Sequence, residues 1–253
     1  MRHHCWSTND FCLTSALAAP DEDLASLVYD RVCRTDFRSP GFCLIDLGDI
    51  SSTPLRQFMV SLKQWMQQIH QSRHQRDLIV LSAGRFDQQE TTKLHRDGGP
   101  EECFLMLGYE PSQVPASIAM ADYSRCAFDM GLSPADLLEK HNPMFHAGED
   151  LLRPYTAEVT CFTPAHAQIV VINNSVAPFS EDDAHWQGVL HTATIHQPDE
   201  RLIRVVNSMM IASVPLGTKE TVNETELQEY INTDVVRRRG YDRQHLEDTG
   251  QTA

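Results

Sequence analysis

Between residues 77 and 214 the chain is a succession of short apolar runs separated by turn residues. Such runs occupy residues 77–83, 103–109, 158–162, 168–173, 186–195 and 202–214, and a further one begins at Leu94. Asparagine, proline, aspartate and threonine fill the breaks, where tight turns require them. A short helix that opens at Ser133-Pro134 is inserted among the runs. Many short strands at this spacing predict a β-sandwich or a barrel.

Helical periodicity is found on either side of this β-rich region. One amphipathic segment begins at Asp21, and a longer one begins at Ser52-Thr53-Pro54, where proline suits the first turn of a helix. A buried strand is expected at 42–47, between these two helices. A last amphipathic helix is expected at 224–236. The order of elements predicts a mostly β fold with helices packed on one face.

The chain has 253 residues, which fits one large domain. We predict a loose N-terminal arm over residues 1–20 and a single domain over residues 21–253. Within that domain we expect helical support at 21–76, a β core at about 77–214 and a C-terminal helix at about 222–240.

Charge and cysteine usage narrow the classes of partner. The formal net charge of −14 repels a phosphate backbone, so we expect no nucleic-acid partner and predict a small-molecule substrate. The one basic run, Arg237-Arg238-Arg239, is interpreted as a solvated helix end. No segment has the roughly 20 apolar residues of a membrane span, and the seven cysteines include no C-x-x-C pair. These features predict a cytoplasmic protein with reduced thiols and no membrane association.

One short motif carries the chemistry. His95 and Asp97 are two residues apart, so on a strand both side chains face the same side. His191, inside a later apolar run, offers a second imidazole. Two histidines and one carboxylate on one face of a metal are typical of a non-haem Fe(II) oxygenase. An H-x-D motif alone is weak, but the Gly98-Gly99 pair that follows it would let backbone approach a ligand closely.

These residues resemble the H-x-D…H…R pattern of 2-oxoglutarate/Fe(II)-dependent dioxygenases, over about residues 42–214. The resemblance implies a double-stranded β-helix, the cupin-like jelly roll, with iron held by His95, Asp97 and His191. It also implies an oxidoreductase that uses 2-oxoglutarate as cosubstrate and O2, and that hydroxylates a substrate while releasing succinate and CO2. It implies neither a substrate identity nor an oligomeric state.

In such enzymes a basic residue on a late strand binds the distal carboxylate of 2-oxoglutarate, and arginine grips a carboxylate with two parallel hydrogen bonds. Arg204 lies within an apolar run, where an unpaired charge would be expensive to bury, and is therefore favoured. Arg201 follows a turn and remains the alternative.

Other readings stay open. A cupin-type metalloenzyme would not need Arg204, a zinc hydrolase could use the same three ligands, and a non-catalytic jelly-roll binding module would need no metal. His196 could replace His191. The sequence does not decide whether Arg85, His141 and His146 reach a substrate; each would otherwise lie at the surface.

Overall fold

The computed structural model describes residues 6–16 and 18–238, and within them two β-sheets face each other. The strands are β1 (Cys12–Thr14), β2 (Phe42–Asp46), β3 (Arg76–Asp87), β4 (Cys103–Tyr109), β5 (Ala116–Ala121), β6 (Thr156–Glu158), β7 (Gln168–Asn173), β8 (Leu190–Ile195), β9 (Val205–Pro215) and β10 (Arg237–Arg238). The large sheet has the order β1-β2-β7-β4-β9-β3-β10, and the small sheet has the order β6-β5-β8. The two sheets are separate, so the fold is not a closed barrel.

Helices cover the outer face of the large sheet. The helices are α1 (Thr8–Phe11), α2 (Glu22–Val32), α3 (Ser52–His74), α4 (Tyr123–Asp129), α5 (Pro134–Lys140), α6 (His146–Leu152) and α7 (Glu224–Asn232). Apolar side chains of α2, α3 and α7 form one core with alternate residues of the large sheet, such as Phe104, Val171 and Ile211. The predicted packing of helices against one face of a β-rich fold is therefore observed for this sheet.

The inner face of the large sheet packs against the small sheet. Because side chains alternate along a strand, Leu105 and Leu107 of β4 leave the helical core and join Ile118 and Met120 of β5. A third core lies on the outer side of the small sheet, where α4, α5 and α6 pack against Ala121 and Leu190. Helices thus lie on two sides of the molecule, which differs from the predicted single face.

A buried charge cluster joins the helical layer to the large sheet. Glu110 accepts hydrogen bonds from Arg85 at 2.9 Å and from Ser52 at 2.6 Å, and forms an ion pair with Arg56 at 3.4 Å. Arg56 is fully buried and also donates to the Ile231 carbonyl at the end of α7. The cluster therefore fixes α7 against α3 and β3.

Several elements differ from their predicted bounds. The strand predicted at 158–162 lies at Thr156–Glu158, that predicted at 186–195 is shortened to Leu190–Ile195, and that predicted at 77–83 extends over Arg76–Asp87. The strand β5 and the helices α4 and α6 were not anticipated. The prediction of a strand beginning at Leu94 is wrong, because only His95 forms a β-bridge there.

The two ends of the chain also differ from expectation. Where a loose arm was predicted, Thr8–Phe11 is helical and Cys12–Thr14 pairs in parallel with β2, with Phe11 buried. The C-terminal helix ends at Asn232 rather than near residue 240, and Arg237–Arg238 pairs with β3 instead of ending a helix. Arg239 lies outside the described residues. No helix in the described part has the length and apolar character needed to cross a membrane.

Candidate metal centre

His95, Asp97 and His191 come together between the two sheets. One potential ligand atom of each lies within 4.8 Å of those of the other two. The Nε2 atom of His95 is 3.5 Å from Oδ1 of Asp97, and the two imidazole rings have centroids 4.3 Å apart. Adjacent ligands of one ion with bonds of about 2.1 Å lie about 3 Å apart. The three side chains are therefore spaced as ligands of a single ion would be, after small rotations.

Main-chain pairing brings the two histidines together. The His95 amide donates to the His191 carbonyl at 3.0 Å, and the His191 amide donates to the His95 carbonyl at 2.9 Å. His191 lies on β8 opposite Met120, whose side chain belongs to the core between the sheets, so the imidazole points inward. Paired residues of neighbouring strands share one face of a sheet.

Threonine side chains explain why residues 91–95 do not form the predicted strand. Thr92 Oγ1 accepts from the Ala193 amide at 3.0 Å, and Thr91 Oγ1 accepts from the Ile195 amide at 2.9 Å. These hydroxyls accept hydrogen bonds from backbone amides of β8. In a regular strand ladder those amides would donate to backbone carbonyls. The segment still follows β8 closely enough to bring His95 to His191.

Asp97 does not lie on a strand. Its backbone is held instead by Asn174, which directly follows β7. The Asp97 amide donates to Asn174 Oδ1 at 3.0 Å, and Asn174 Nδ2 donates to the Asp97 carbonyl at 2.8 Å. Asn174 is fully buried. This reciprocal pair fixes the backbone of Asp97 while its side chain remains about one quarter exposed.

The centre has electrostatics suited to a cation. The hydrogen bond with Asp97 raises the pKa of His95, and this effect exceeds the opposing effect of burial. His95 Nδ1 lies 2.7 Å from the Lys93 carbonyl, which leaves Nε2 on the side of Asp97. A hydrogen bond at one ring nitrogen orients the other toward a metal.

A cavity of about 490 Å³, counting its open mouth, contains the three side chains and Arg204. Arg204 is 3% exposed, and its Nη1 donates to the Gln88 carbonyl at 2.9 Å. Its guanidinium carbon lies 5.1 Å from the ring centroid of Tyr109. Its Nη2 is buried and meets no acceptor within normal hydrogen-bond geometry among the described residues, although the guanidinium interacts with the Tyr109 hydroxyl. A buried donor of this kind costs free energy unless a ligand satisfies it.

The remaining sequence candidates lie away from this cavity. Arg201 is largely exposed and pairs with Asp199, with Nη2 and Oδ2 2.7 Å apart. Arg85 belongs to the buried charge cluster with Glu110 on the other face of the large sheet. His196 is exposed at the end of β8.

His141 and His146 also lie outside the cavity. His141 caps the end of α5, and His146 is exposed at the start of α6, where it pairs with Asp150. Neither residue lines the cavity that contains the three potential ligands.

Sequence reasoning missed three residues that shape the centre. Asn174, one of the asparagines in the breaks between the apolar runs, positions Asp97. Tyr109 and Gln88 line the cavity beside Arg204. Burial raises the pKa of Tyr109, and the neighbouring Arg204 cation opposes that shift. No sequence signal singles out Asn174, because an asparagine pair after the apolar residues 169–172 is equally typical of a turn.

The donor set fits a divalent first-row transition metal. Two imidazoles and one carboxylate are nitrogen and oxygen ligands suited to iron, manganese, cobalt or zinc, and they leave other coordination positions to small molecules. Comparison with models of protein families gives no match to this chain, and comparison with curated proteins gives none either.

Proposed function

We propose that the protein is a mononuclear non-haem Fe(II) enzyme that uses 2-oxoglutarate and O2 to hydroxylate a small molecule, releasing succinate and CO2. One observation carries the proposal. His95, Asp97 and His191 converge in a cavity that also buries an arginine with an unsatisfied donor. Structural metal sites do not need such an arginine beside them, whereas a site that binds a carboxylate cosubstrate does.

Arg204 would bind the distal carboxylate of 2-oxoglutarate. Its Nη1 is already engaged with the Gln88 carbonyl, so Nη2 is the group available to an added acceptor. Tyr109 supports the guanidinium from one side. Gln88 Oε1 is also buried without a hydrogen-bond partner among the described residues. Because the two ends of an amide can be exchanged by rotation, Gln88 can offer either a donor or an acceptor to the same ligand.

The arrangement of the two sheets supports the proposal as well. Two largely antiparallel sheets face each other, and the candidate metal centre opens between them. This arrangement is the one expected of a double-stranded β-helix, which we propose as the fold of residues 77–214.

Bound Fe(II) would supply oxygen activation, and the chain would supply geometry and exclusion of water. His95, Asp97 and His191 would hold the ion from one face. Leu107 and Val206 make the cavity wall apolar on the side of the large sheet. Such a wall strengthens the attraction between Arg204 and a carboxylate by lowering the local dielectric constant.

Anaerobic titration of the full chain with Fe(II) and 2-oxoglutarate tests the proposal directly. We expect a weak visible absorption that requires both additions and that is absent from His95→Ala and Asp97→Ala. Succinate release across a metabolite panel then tests turnover, which the same two variants should abolish.

Arg204→Ala tests the cosubstrate assignment, and Arg201→Ala is the matched control. A hydrogen bond to a charged group contributes roughly 1.5–3 kcal/mol, so Arg204→Ala should raise the 2-oxoglutarate requirement by roughly 10-fold to 150-fold. Arg201→Ala should leave it unchanged. The reverse result would show that the choice of Arg204 is wrong.

The alternatives have different outcomes in the same experiments. Metal binding without any effect of 2-oxoglutarate would favour the cupin-type metalloenzyme, and absence of metal binding would favour a non-catalytic module. Either result would refute the dioxygenase proposal.

A further inference from the structure

A second cavity adjoins the candidate metal centre. It encloses about 720 Å³, counting its open mouth, and it shares Phe86, Asp97 and Ser208 with the cavity that holds Arg204. A molecule in this second cavity would therefore lie directly beside the metal-binding carboxylate of Asp97, without occupying the space next to Arg204.

Small side chains on the inner face of the large sheet create the space. Ser82 pairs with Met210, Gly84 pairs with Ser208, and Phe86 pairs with Val206. The side chains of Met210 and Val206 belong to the core between the sheets, so all three pairs face inward. Serine at the inward position 82 leaves space, whereas the ring of Phe86 lies over Gly84, where an added Cβ would come within 2.9 Å of it.

Strand β10 adds a cation to the rim of this gap. Arg237 pairs in parallel with Phe86, so its side chain lies on the same inward side of the sheet edge, and it lines the second cavity. Its side chain makes no hydrogen bond or ion pair with any other residue that the structure describes. Arg237 is exposed, and it would not have to leave a partner among the described residues to bind an incoming ligand.

We propose that the second cavity binds the organic substrate, and that this substrate is a small carboxylic acid whose carboxylate is held by Arg237. The hydroxylation of this acid rests on the proposed function, whereas the binding of its carboxylate by Arg237 does not. The planar guanidinium presents two parallel donors that match a carboxylate. In a chain of net charge −14, an anion is repelled at long range and needs a local cation to be retained.

The walls of the cavity define the rest of the substrate. Phe86, Leu105 and Met210 offer apolar surface in the cavity that Arg237 and Asp97 also line. The acid therefore carries an apolar body, which lies on these side chains and extends from the carboxylate toward the metal centre. The carbon to be hydroxylated lies at the end of the molecule remote from the carboxylate.

The experiment measures binding rather than turnover. The full chain is loaded with Mn(II) and 2-oxoglutarate and titrated calorimetrically with monocarboxylates from acetate to 4-phenylbutanoate, each paired with its carboxamide. We expect at least one acid with an apolar body to bind tenfold or more tightly than its amide. Arg237→Gln should reduce that ratio to about one, and Arg237→Lys should retain part of it. Arg201→Gln, which removes an exposed arginine outside both cavities, should leave the ratio unchanged.

Three results with carboxylates would overturn the proposal. The first is a panel in which no acid binds more tightly than its amide. The second is a preference for the acid that survives Arg237→Gln, since the carboxylate would then be bound elsewhere. The third is a loss of 2-oxoglutarate affinity in Arg237→Gln but not in Arg204→Ala, which would assign Arg237 to the cosubstrate.

The same titrations separate this proposal from the function on which it rests. Failure of 2-oxoglutarate to bind wild-type protein would refute the dioxygenase proposal. The ratio of acid to amide affinity in the Mn(II)-loaded protein would still decide whether Arg237 holds a carboxylate. Phenyl phosphate in a parallel titration distinguishes a carboxylate site from a phosphate site, and tighter binding of the phosphate would contradict the assigned substrate class.

Discussion

Replacement of Asn174 by alanine should weaken both metal affinity and fold stability. The substitution removes two hydrogen bonds to the Asp97 backbone, of 3.0 and 2.8 Å. At about 1 kcal/mol for each bond, the free energy of unfolding should fall by about 2 kcal/mol. Loss of a group that orients a metal ligand typically weakens metal affinity 10-fold to 100-fold, or about 1.4–2.7 kcal/mol. Both effects are expected together in Asn174→Ala.

Asn207→Ala is the matched control for this substitution. Asn207 is also fully buried, and its Nδ2 donates to the Gly108 carbonyl and to Glu110, both at 3.0 Å. Those bonds lie away from the candidate metal centre, so this variant should lose similar stability and keep its metal affinity. Urea denaturation of the metal-free protein measures stability, and competition with a chelator measures Co(II) affinity. Equal Co(II) affinity in wild type and Asn174→Ala would refute the assigned positioning role.

Variants at three further positions test the packing of the fold. Glu110→Gln should cost about 3–5 kcal/mol in the free energy of unfolding, because it leaves the two arginines of the buried charge cluster without a carboxylate; Glu110→Gln combined with Arg85→Met should recover part of that loss. Burial lowers the pKa of His70 in the folded protein to about 4. In the unfolded chain the pKa of this histidine is about 6.5, so the unfolded chain takes up a proton at a higher pH than the folded protein does. Stability should therefore decline by about 3 kcal/mol between about pH 6.5 and pH 4, and a His70→Gln variant should show a flatter profile in urea denaturation. Gly188→Ala would place a methyl group 2.1 Å from the Ser175 carbonyl oxygen, so thermal unfolding should show a loss of about 1–3 kcal/mol or more.

The strands that are buried on both faces could be predicted from the sequence, because such burial requires a continuous apolar run. Strands β4 and β7 are buried at every position and were predicted at their observed bounds. Strand β5 is the opposite case. Its sequence, Ala116–Ala121, is rich in alanine and has low strand propensity, and its conformation depends on pairing with β6 and β8.

The residues of the candidate metal centre could be predicted from the sequence, but the contacts that hold them in place could not. His95, Asp97 and His191 could be chosen because their residue types and spacing suit a metal, and the structure brings them together. The means of holding them could not be foreseen. A lone bridge, threonine hydroxyls and Asn174 replace the regular strand that the spacing suggested, and such contacts join residues about 80 to 100 positions apart.

Arg204 could be preferred over Arg201 on the cost of burying an unpaired charge, and the structure places Arg204 in the cavity and Arg201 at the surface. The position of Arg237 could not be foreseen. Its basic run suggested a solvated helix end, whereas the short pairing with β3 turns it toward the rim of the second cavity.

The separation of the two sheets gives the protein a mechanical property. His191 belongs to the small sheet, whereas Arg204 directly precedes β9 of the large one. A molecule that touches both residues would link two layers that share no strand pairing among the described residues. Binding of such a molecule should reduce the relative motion of the two sheets and slow amide hydrogen exchange in β8. The exchange rates would then show whether the cavity is occupied.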